Sequence, residues 1–397
     1  MKFILGIAFT SFAAFTTSSG AIADVSYTRD IAPLFHKKCA ECHRPGQVAP
    51  MSLLTYQETR PWAKSIREKV FKKDMPPWFA IGEMHQFKGD PRLTQEEIDM
   101  VVSWVDKGAP KGNPKDMPTV PQFHEGWKLG EPDMILELDN ISIEQGATDR
   151  LTEIPVPFEI DSDQFVTAVE FLPEPSDIVH HIILYVKDDR QRRTGIFNWL
   201  AGWGPGMQPM VMPEGSGRLL KDSAEITANI HVTPREEGGS TKIKIGLHFA
   251  QKGEKMVESV NHWTMNPRFK IPAGDSNYFA SAEWTAPFDA TVTGLIPHMH
   301  LRGKDMKFTA KYLDGTEEVL LDSIWNNDWQ VGYYPVEPYN FPKGTKILVT
   351  GHFDNSPENP SNPDPAKDIR WGNRVTDEMF IGYIDYMPQA QAATDSD

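Results

Sequence analysis

The segment Thr241-Lys-Ile-Lys-Ile-Gly-Leu-His-Phe249 alternates polar and apolar side chains along its length. Because successive side chains of a β-strand point to opposite faces, this alternation predicts a strand with one buried face. Beyond residue 125 the same pattern recurs between clusters of Gly, Pro, Asn and Asp, at residues 165–171, 178–186, 308–312 and 346–353. This spacing predicts antiparallel β-sandwiches, two in number.

Length and composition limit the classes of protein that the chain can belong to. Its 397 residues exceed one ordinary domain, and its 40% hydrophobic and 24% charged residues are typical of globular proteins. The net charge of −15 disfavours nucleic acid as a partner, because both would be anionic. No internal apolar run reaches the ~18 residues of a transmembrane helix, so we expect no membrane anchor.

The N-terminus has the pattern of a secretory signal peptide. Lys2 precedes an apolar stretch at residues 3–16, and the small-residue triplet Ala21-Ile-Ala23 follows. This order predicts a signal peptide over residues 1–23, with cleavage before Asp24. We therefore expect a soluble mature protein in the periplasm or outside the cell.

The chain has two cysteines, and both belong to the motif Cys39-Ala-Glu-Cys42-His43. This spacing is that of covalent c-type haem attachment, in which two thiols form thioethers and the adjacent imidazole coordinates iron. A redox CxxC pair and half of a zinc site are the alternatives. Export and the lack of a second cysteine pair favour haem, bound by Cys39, Cys42 and His43.

The sixth iron ligand must come from another segment. Met75 is our first choice, because a thioether is a common axial ligand and Pro76 and Pro77 predict an extended loop that can hold it. The competing candidates are Met51, Met84 and His85.

Segments that flank the haem motif predict helices. Residues 57–73 are helix-like, and a second helix begins at Thr94 with a capping box to Glu97. We therefore expect a cytochrome c-like haem domain over residues 24–113 and a linker over residues 114–125.

Histidines of the β-rich part form a pattern typical of metal sites. His298 and His300 flank Met299, and residues i and i+2 of a strand share a face, so both imidazoles can chelate one ion. Adjacent His180 and His181 would point to opposite faces of a regular strand. Joint ligation by this pair therefore requires a strand end, a bulge or different ring nitrogens. Imidazole-rich sites with a thioether favour copper over zinc, because sulfur stabilises Cu(I).

These residues resemble the copper type II, ascorbate-dependent monooxygenases, the family of peptidylglycine α-hydroxylating monooxygenase and dopamine β-monooxygenase. The resemblance covers roughly residues 150 to 387, and the whole mature chain is similar to bacterial proteins that fuse such a module to an N-terminal cytochrome c domain. The motifs that carry it are Val179-His-His-Ile182, Ile245-Gly-Leu-His-Phe249, Pro297-His-Met-His-Leu-Arg-Gly303 and Thr376-Asp-Glu-Met379.

The resemblance implies a fold and two copper ions. The fold class is multidomain, a small all-α cytochrome c domain followed by two all-β antiparallel jelly-roll sandwich domains at residues 126–268 and 269–390, with a disordered tail at 391–397. The electron-transfer copper takes His180, His181 and His248. The oxygen-binding copper takes His298, His300 and Met379. His231 competes with His248 for the third imidazole of the first copper; we prefer His248 because an aromatic residue, Phe249, follows it.

The function implied is that of an exported oxidoreductase, a copper-dependent monooxygenase that hydroxylates a substrate C–H bond with O2. An external periplasmic donor supplies electrons through the haem, and the substrate is a small molecule or a peptide. Ile296 and Ile381 replace polar residues of the peptidylglycine enzymes, which disfavours an amidating peptide hydroxylase. The alternative is a periplasmic haem/copper electron-transfer or copper-binding protein without hydroxylase activity. A third option is a cytochrome with a β-sandwich that holds no copper.

Overall fold

The structure is a computed structural model that describes residues 24–84, 86–123, 126–145, 150–175, 178–188, 198–204, 207–232 and 238–389. The predicted signal peptide at 1–23 and the predicted tail at 391–397 lie outside the described residues, as do His85 and His124.

The helices of the described chain are short and lie near its N-terminus. They are α1 (Ala32–Lys38), α2 (Tyr56–Thr59), α3 (Ala63–Phe71) and α4 (Gln95–Asp106), with a π-helical turn at Tyr27–Ile31 and 3-10 turns at Arg60–Trp62 and Pro114–Asp116. None of them is long and apolar enough to cross a membrane.

The strands follow in chain order. They are β1 (Ala80–Ile81), β2 (Met134–Ile143), β3 (Arg150–Val156), β4 (Gln164–Glu174), β5 (Val179–Lys187), β6 (Asn198–Trp203), β7 (Met210–Val211), β8 (Ser216–Leu220), β9 (Glu225–Val232), β10 (Gly239–Phe249), β11 (Val257–Glu258), β12 (Val260–Met265), β13 (Lys270–Ile271), β14 (Tyr278–Thr285), β15 (Ala290–His298), β16 (Gly303–Lys311), β17 (Glu317–Ile324), β18 (Tyr339–Phe341), β19 (Lys346–Phe353), β20 (Ile369–Arg370) and β21 (Ile381–Pro388).

Local sequence explains where the helices begin and end. The predicted capping box at α4 is confirmed, because Glu97 N donates to Thr94 Oγ1 over 3.2 Å and Thr94 N donates to Glu97 Oε2 over 2.8 Å. The helix predicted over residues 57–73 is instead split into α2, a 3-10 turn and α3. Pro61 lies in that turn, where it has no amide hydrogen to donate to an α-helix.

Two sheets pack face to face to form the first β unit. One sheet has the order β11-β8-β4-β10-β2, with β7 paired to β4, and the other has the order β3-β9-β5-β6. Their inner faces share one apolar core, whose most buried members include Val166, Ile182, Leu184, Ala228, Ile230, Ile243 and Ile245. The strand predicted at residues 241–249 is the C-terminal part of β10.

The second β unit is built in the same way. Its sheets have the orders β1-β17-β16-β19-β14 and β12-β21-β15-β18, with β13 and β20 as a separate pair. Its core includes Val292, Leu295, Phe308, Leu320, Val349, Phe353 and Ile384. The boundary predicted at 268/269 lies after β12, although the hydrogen bonds of β12 already join it to β21 of the second β unit.

The predicted fold class, a small all-α cytochrome c domain followed by two jelly-roll sandwiches, is wrong. The helices pack around a core of their own, yet the segment between α3 and α4 belongs to the second β unit. There β1 pairs with β17, and Phe87 bridges to Pro335. α3 ends at Phe71, and the apolar residues that follow Pro76 and Pro77 are buried against a sheet, so residues 24–113 form no self-contained all-α domain. The coarser prediction of β-sandwich structure is confirmed by the two cores.

The two β units are joined by polar contacts of buried side chains. Arg218 Nη2 lies 2.7 Å from Asp385 Oδ1, with side-chain exposures of 6% and 3%. Within the second β unit, Asn261 Nδ2 donates to the same carboxylate oxygen over 2.7 Å and so orients it. A side-chain hydrogen bond also joins Tyr185 to Tyr383. These contacts fix the faces that carry the predicted metal ligands.

Candidate metal centres

His180, His181 and His231 form a first histidine cluster. His180 Nδ1 lies 3.2 Å from His181 Nδ1 and 3.0 Å from His231 Nδ1. One nitrogen of each ring lies within 4.8 Å of the other two, which is the separation that a single bound ion requires. Burial and the neighbouring imidazoles hold the pKa of His181 well below its usual value, which keeps this ring neutral and able to bind a metal.

A bulge explains how two adjacent histidines serve one cluster. Strand β5 pairs with β9, Val179 opposite Val232 and His181 opposite His231, and the register shifts between these two pairs. A bulged strand re-aims the extra side chain, which here is that of His180. A bulge is one of the three arrangements that joint ligation was predicted to require, with a strand end and different ring nitrogens, and the structure contains it. Joint ligation itself remains a prediction.

The structure brings His231, not the predicted His248, to this cluster. His248 lies on β10, in the opposite sheet of the first β unit, where its Nε2 is 3.1 Å from Oε1 of Glu170. Glu170 is 3% exposed, and its carboxylate also accepts hydrogen bonds from the amides of Lys128 and Leu129. His248 thus contacts Glu170 on another sheet, and the structure groups His231, not the predicted His248, with His180 and His181.

His298 and His300 form a second histidine cluster on the second β unit. Their ring centroids are 5.3 Å apart and their planes are nearly perpendicular, while Met299 between them is fully buried in the core. His298 ends β15, so the alternation of side chains continues just past the strand. The predicted shared face is confirmed.

Hydrogen bonds orient both rings of the second histidine cluster. His298 Nδ1 lies 3.0 Å from Gln330 Oε1, and His300 Nδ1 lies 3.1 Å from the carbonyl oxygen of Asp377. Both partners are acceptors, so each Nδ1 carries the hydrogen, and the Nε2 of His298 is left as an acceptor. A further backbone hydrogen bond joins His300 to Arg374. Burial lowers the pKa of His298 to about 3 and also lowers that of His300. Both rings are therefore neutral at ordinary pH.

The third predicted ligand, Met379, follows from the chain position next to a paired strand. Pro297 pairs with Gly382 and His298 pairs with Ile381, and Met379 lies two residues before Ile381. Because β15 ends at His298 and β21 begins at Ile381, this pairing ends before Met379. Met379 as the third ligand remains a prediction.

A buried carboxylate, which the sequence analysis did not single out, anchors the loop that follows His298. Glu378 is fully buried, and its two oxygens accept hydrogen bonds from the backbone amides of His300, over 2.9 Å, and Arg302, over 2.6 Å. Its position inside the Thr376–Met379 motif was the available signal. Gln330, by contrast, lies in a loop with no recognisable pattern.

The two histidine clusters face one cavity between the β units. This cavity, of about 50 Å³, is lined by His181 from one side and His298 from the other, with apolar or aromatic walls that include Ile183, Trp199, Ile296 and Tyr334. His298 and His300 are close enough to His181 to lower its pKa further. Two sandwiches therefore present imidazoles to a shared space.

Aromatic residues surround both histidine clusters. Tyr334 lines this shared cavity, and Trp329 lines a neighbouring one of about 20 Å³ beside His180 and His181. Trp325 and Tyr333 are instead buried in the core of the second β unit. Trp325 also donates from Nε1 to the carbonyl oxygen of His300 over 2.8 Å, and so supports the second histidine cluster.

The predicted haem ligands lie on one turn directly after α1. The amides of Cys42 and His43 both donate to the carbonyl oxygen of Cys39, over 3.2 and 2.9 Å. Both thiols are free, and burial raises the pKa of Cys39 to about 12 and raises that of Cys42. His43 Nδ1 lies 3.2 Å from the carbonyl oxygen of Met51, which leaves Nε2 for iron. Two unpaired thiols and an oriented imidazole on one turn fit a covalently attached haem.

A cavity of about 430 Å³ borders this turn, between the helical segment and the first β unit. Cys42 and Arg44 line one side, and Glu170 and Trp203 line the other. Lys128 and Glu41 form an ion pair at its edge, with Nζ and Oε1 2.5 Å apart. The cavity gives a group attached to Cys42 space in front of the first β unit.

The structure gives the candidates for the sixth iron ligand different surroundings. Met75 follows α3, where its amide donates to the carbonyl oxygen of Lys69, and the chain then runs to Trp78 on the second β unit. Met51 packs with Cys39 against the helical core. Met75 remains a prediction, and Met51 contacts His43 through its carbonyl group.

Comparison with known proteins identifies no relative. The sequence matches no protein-family model and no curated protein. Among solved structures, the chain is similar to the major capsid protein P2 of bacteriophage PM2, with 10% identity over 64% of this chain and 97% of that chain and a TM-score of 0.29. It is also similar to a peptide-N(4)-(N-acetyl-β-D-glucosaminyl) asparagine amidase, with 8% identity over 65% and 97% and a TM-score of 0.31. These scores are too low to assign a fold or a function.

Proposed function

We propose that this chain is an exported copper-dependent monooxygenase, which inserts one atom of O2 into a C–H bond of a small-molecule or peptide substrate. Electrons from an external periplasmic donor pass through a haem attached to Cys39 and Cys42. The observation that carries the proposal is the pair of histidine clusters, one on each β unit, of which His181 and His298 line a single cavity. The resemblance of their motifs to the copper type II monooxygenases supports the same reading.

The first histidine cluster has the donor set of a copper ion that only exchanges electrons. Three imidazoles would hold the metal through Nδ1 atoms that already converge, and three nitrogen donors suit copper. The ligands are His180, His181 and His231. Because the clustered rings share one short stretch of two paired strands, they are held in place before any metal arrives.

The second histidine cluster has a mixed donor set. His298 and His300 would bind through Nε2, and Met379 adds a thioether, which favours Cu(I). Gln330 and the Asp377 carbonyl keep the hydrogen of each ring on Nδ1 and so hold the rings in the binding tautomer. The apolar walls at Ile296 and Tyr334 exclude water from the space in front of these rings.

Bound copper supplies one-electron chemistry with O2, and haem supplies the stored electron. The protein contributes the rest. Buried or partly buried imidazoles would bind the metals, hydrogen bonds orient the rings of His298 and His300, and Arg218 with Asp385 keeps the two β units facing each other. Different ligand sets give the two sites different roles.

A second candidate, a haem/copper electron-transfer or copper-binding protein without hydroxylase activity, is favoured by one observation. The cavity between the clusters has about 50 Å³, far below the ~300–1,000 Å³ of typical ligand sites. A substrate would need this space to open, whereas electron transfer would not.

The test is to purify the exported protein with its haem and copper, and to supply labelled O2, ascorbate and a library of small molecules and peptides. We expect two copper ions and one haem per chain and one labelled oxygen atom in a hydroxylated product. Met379→Ala should lose product, and Met265→Ala is the matched methionine control. Full copper and haem loading without any oxygen-dependent product would favour the second candidate. Iron alone, with no copper, would contradict both and favour a haem protein without copper.

A further inference from the structure

Three cavities of the structure share the side chain of Met207. The first, of about 430 Å³, is lined by Cys42, Trp203 and Met207. The second, of about 20 Å³, is lined by His180, His181 and Met207. The third, of about 50 Å³, is the one between the two histidine clusters, and Trp203 and Met207 line it as well. Met207 therefore borders the haem-motif cavity and both metal-ligand cavities, and Trp203 borders the haem-motif cavity and the cavity between the clusters.

Backbone contacts connect this wall to the first histidine cluster. Trp203 ends β6 and pairs with Ile182 of β5, which directly follows His181. The amide of Met207 donates to the carbonyl oxygen of Gly204 over 3.0 Å. A Cβ placed on Gly204 would lie 3.6 Å from Met207 Sδ and 3.9 Å from the carbonyl oxygen of His180. The thioether thus lies close to the backbone that carries the histidines.

Resting on the proposed function, we propose that Trp203 and Met207 are the contact through which an electron passes from the haem to the first copper site. A haem attached to Cys42 would be bonded to a residue in the lining of the large cavity, and Trp203 and Met207 line the same cavity from the first β unit. An indole ring and a thioether are large, polarisable groups that fill this space. One electron leaves Fe(II), which becomes Fe(III), and reduces Cu(II) to Cu(I); no bond or proton is exchanged.

A second connection runs from the helical segment to the second histidine cluster and is the competing route. Trp78, three residues after Met75, packs on Tyr333 with ring centroids 5.1 Å apart. Tyr333 in turn bridges to Leu295 of β15, the strand that ends at His298. This route would deliver the electron to the mixed nitrogen and sulfur site instead.

Flash photolysis of the haem- and copper-loaded protein distinguishes the routes. A photoreductant reduces the haem in an anaerobic sample, and the absorbance of the haem reports its reoxidation by Cu(II) in the same molecule. We expect Trp203→Leu with Met207→Leu to slow this reoxidation about tenfold or more. The matched controls, Trp62→Leu and Trp78→Leu, should leave the rate unchanged. Trp62 is an exposed side chain of the helical segment and is absent from the lining of all three cavities.

Each outcome has a distinct meaning. An unchanged rate in the double variant, or a slower rate in Trp78→Leu alone, overturns the route through Trp203 and Met207. Copper content and the haem spectrum are measured on every variant, so a variant that loses a metal is not scored as slow. Wild-type protein that loads both groups without reoxidising its haem overturns this inference alone. Failure to load copper overturns the proposed function with it.

Discussion

The two histidine clusters use the same residue type in opposite ways. In the first histidine cluster, Nδ1 of His180 points at Nδ1 of its two neighbours, at 3.0 and 3.2 Å. In the second histidine cluster, Nδ1 of His298 and of His300 is already engaged by Gln330 and by the Asp377 carbonyl. Which ring nitrogen can bind a metal is therefore decided by the surroundings of each ring, not by the histidine itself.

This difference has a structural cause and a consequence. A bulge in β5 aims three rings at one point, so the first histidine cluster depends on every one of its imidazoles. The second histidine cluster lies at the end of β15, and its rings are oriented by hydrogen bonds to Gln330 and to the Asp377 carbonyl. Removing a ligand should thus damage the first site most, and removing an orienting partner should weaken the second.

The largest expected effect is the loss of one copper ion from His231→Ala. Without the third imidazole, His180 and His181 keep only two converging donors, whereas a stable site needs three or four. We expect copper per chain to fall from two to one, measured by elemental analysis after dialysis. His248→Ala is the matched control and should keep both ions, since His248 lies on another sheet. Loss of copper from His248→Ala with retention in His231→Ala would restore the ligand set predicted from the sequence.

The next effect concerns the contact that holds the two β units together. Removing one partner of a buried ion pair costs about 3–5 kcal/mol, because the other charge stays buried and unpaired. We expect Arg218→Met to lower the free energy of unfolding by about this amount in urea titrations. Lys346→Met breaks an exposed pair with Glu283, with side-chain exposures of 50% and 42%, and should cost about 1 kcal/mol or less. Equal losses in the two variants would show that Asp385 is not held mainly by Arg218.

A histidine outside both clusters gives the pH baseline for the comparison. Burial lowers the pKa of His262 to about 4, and an unfolded histidine has a pKa of ~6.5. Between these values the unfolded chain binds the additional proton, so stability is lost as the pH falls from about 6.5 towards 4. At 1.36 kcal/mol per pKa unit, the loss is roughly 3 kcal/mol.

We expect metal-free His262→Gln to lose less stability than the wild type over that pH range, in urea titrations at each pH. The remaining slope would come from the clustered histidines, whose pKa values burial also lowers. Parallel stability curves for the two proteins would mean that His262 is hydrated in the folded state.

The sequence predicted that histidines would cluster, but it did not identify every histidine of the first histidine cluster. His298 and His300 follow from the two-residue period of a strand, which needs only local information. The choice between His231 and His248 needs the strand order, because both alternate with apolar neighbours. Only long-range pairing puts β9 beside β5 and β10 beside β4.

The dependence on long-range pairing also explains why the prediction of an all-α domain at the N-terminus was wrong. Helix signals around Thr94 were correct because a capping box is a local feature. The segment after Met75 carries apolar residues that any nearby core could bury. Its real partner is β17, more than two hundred residues further along the chain. Gln330 was also missed, because it orients the ring of His298 through a contact that only the folded chain brings about.

The smallest expected effect is that of Gln330→Leu on the second copper site. Without the acceptor at Oε1, the imidazole of His298 is free to place its hydrogen on Nε2, the nitrogen that must bind the metal. Loss of such orienting partners typically weakens metal binding about 10- to 100-fold. We expect this weakening for one of the two copper ions, measured by competition with a chelator of known affinity. The first copper should bind as in the wild type, because its rings are oriented by one another.

Gln208→Leu provides the matched control for this change. Gln208 is an exposed glutamine in the wall of the haem-motif cavity, away from His298. Its replacement should leave both affinities unchanged, so any loss shared by the two variants would reflect general destabilisation. If Gln330→Leu instead weakened both copper ions equally, the two clusters would form one coupled site across their shared cavity. The contrast between self-oriented and partner-oriented imidazoles would then no longer describe this protein.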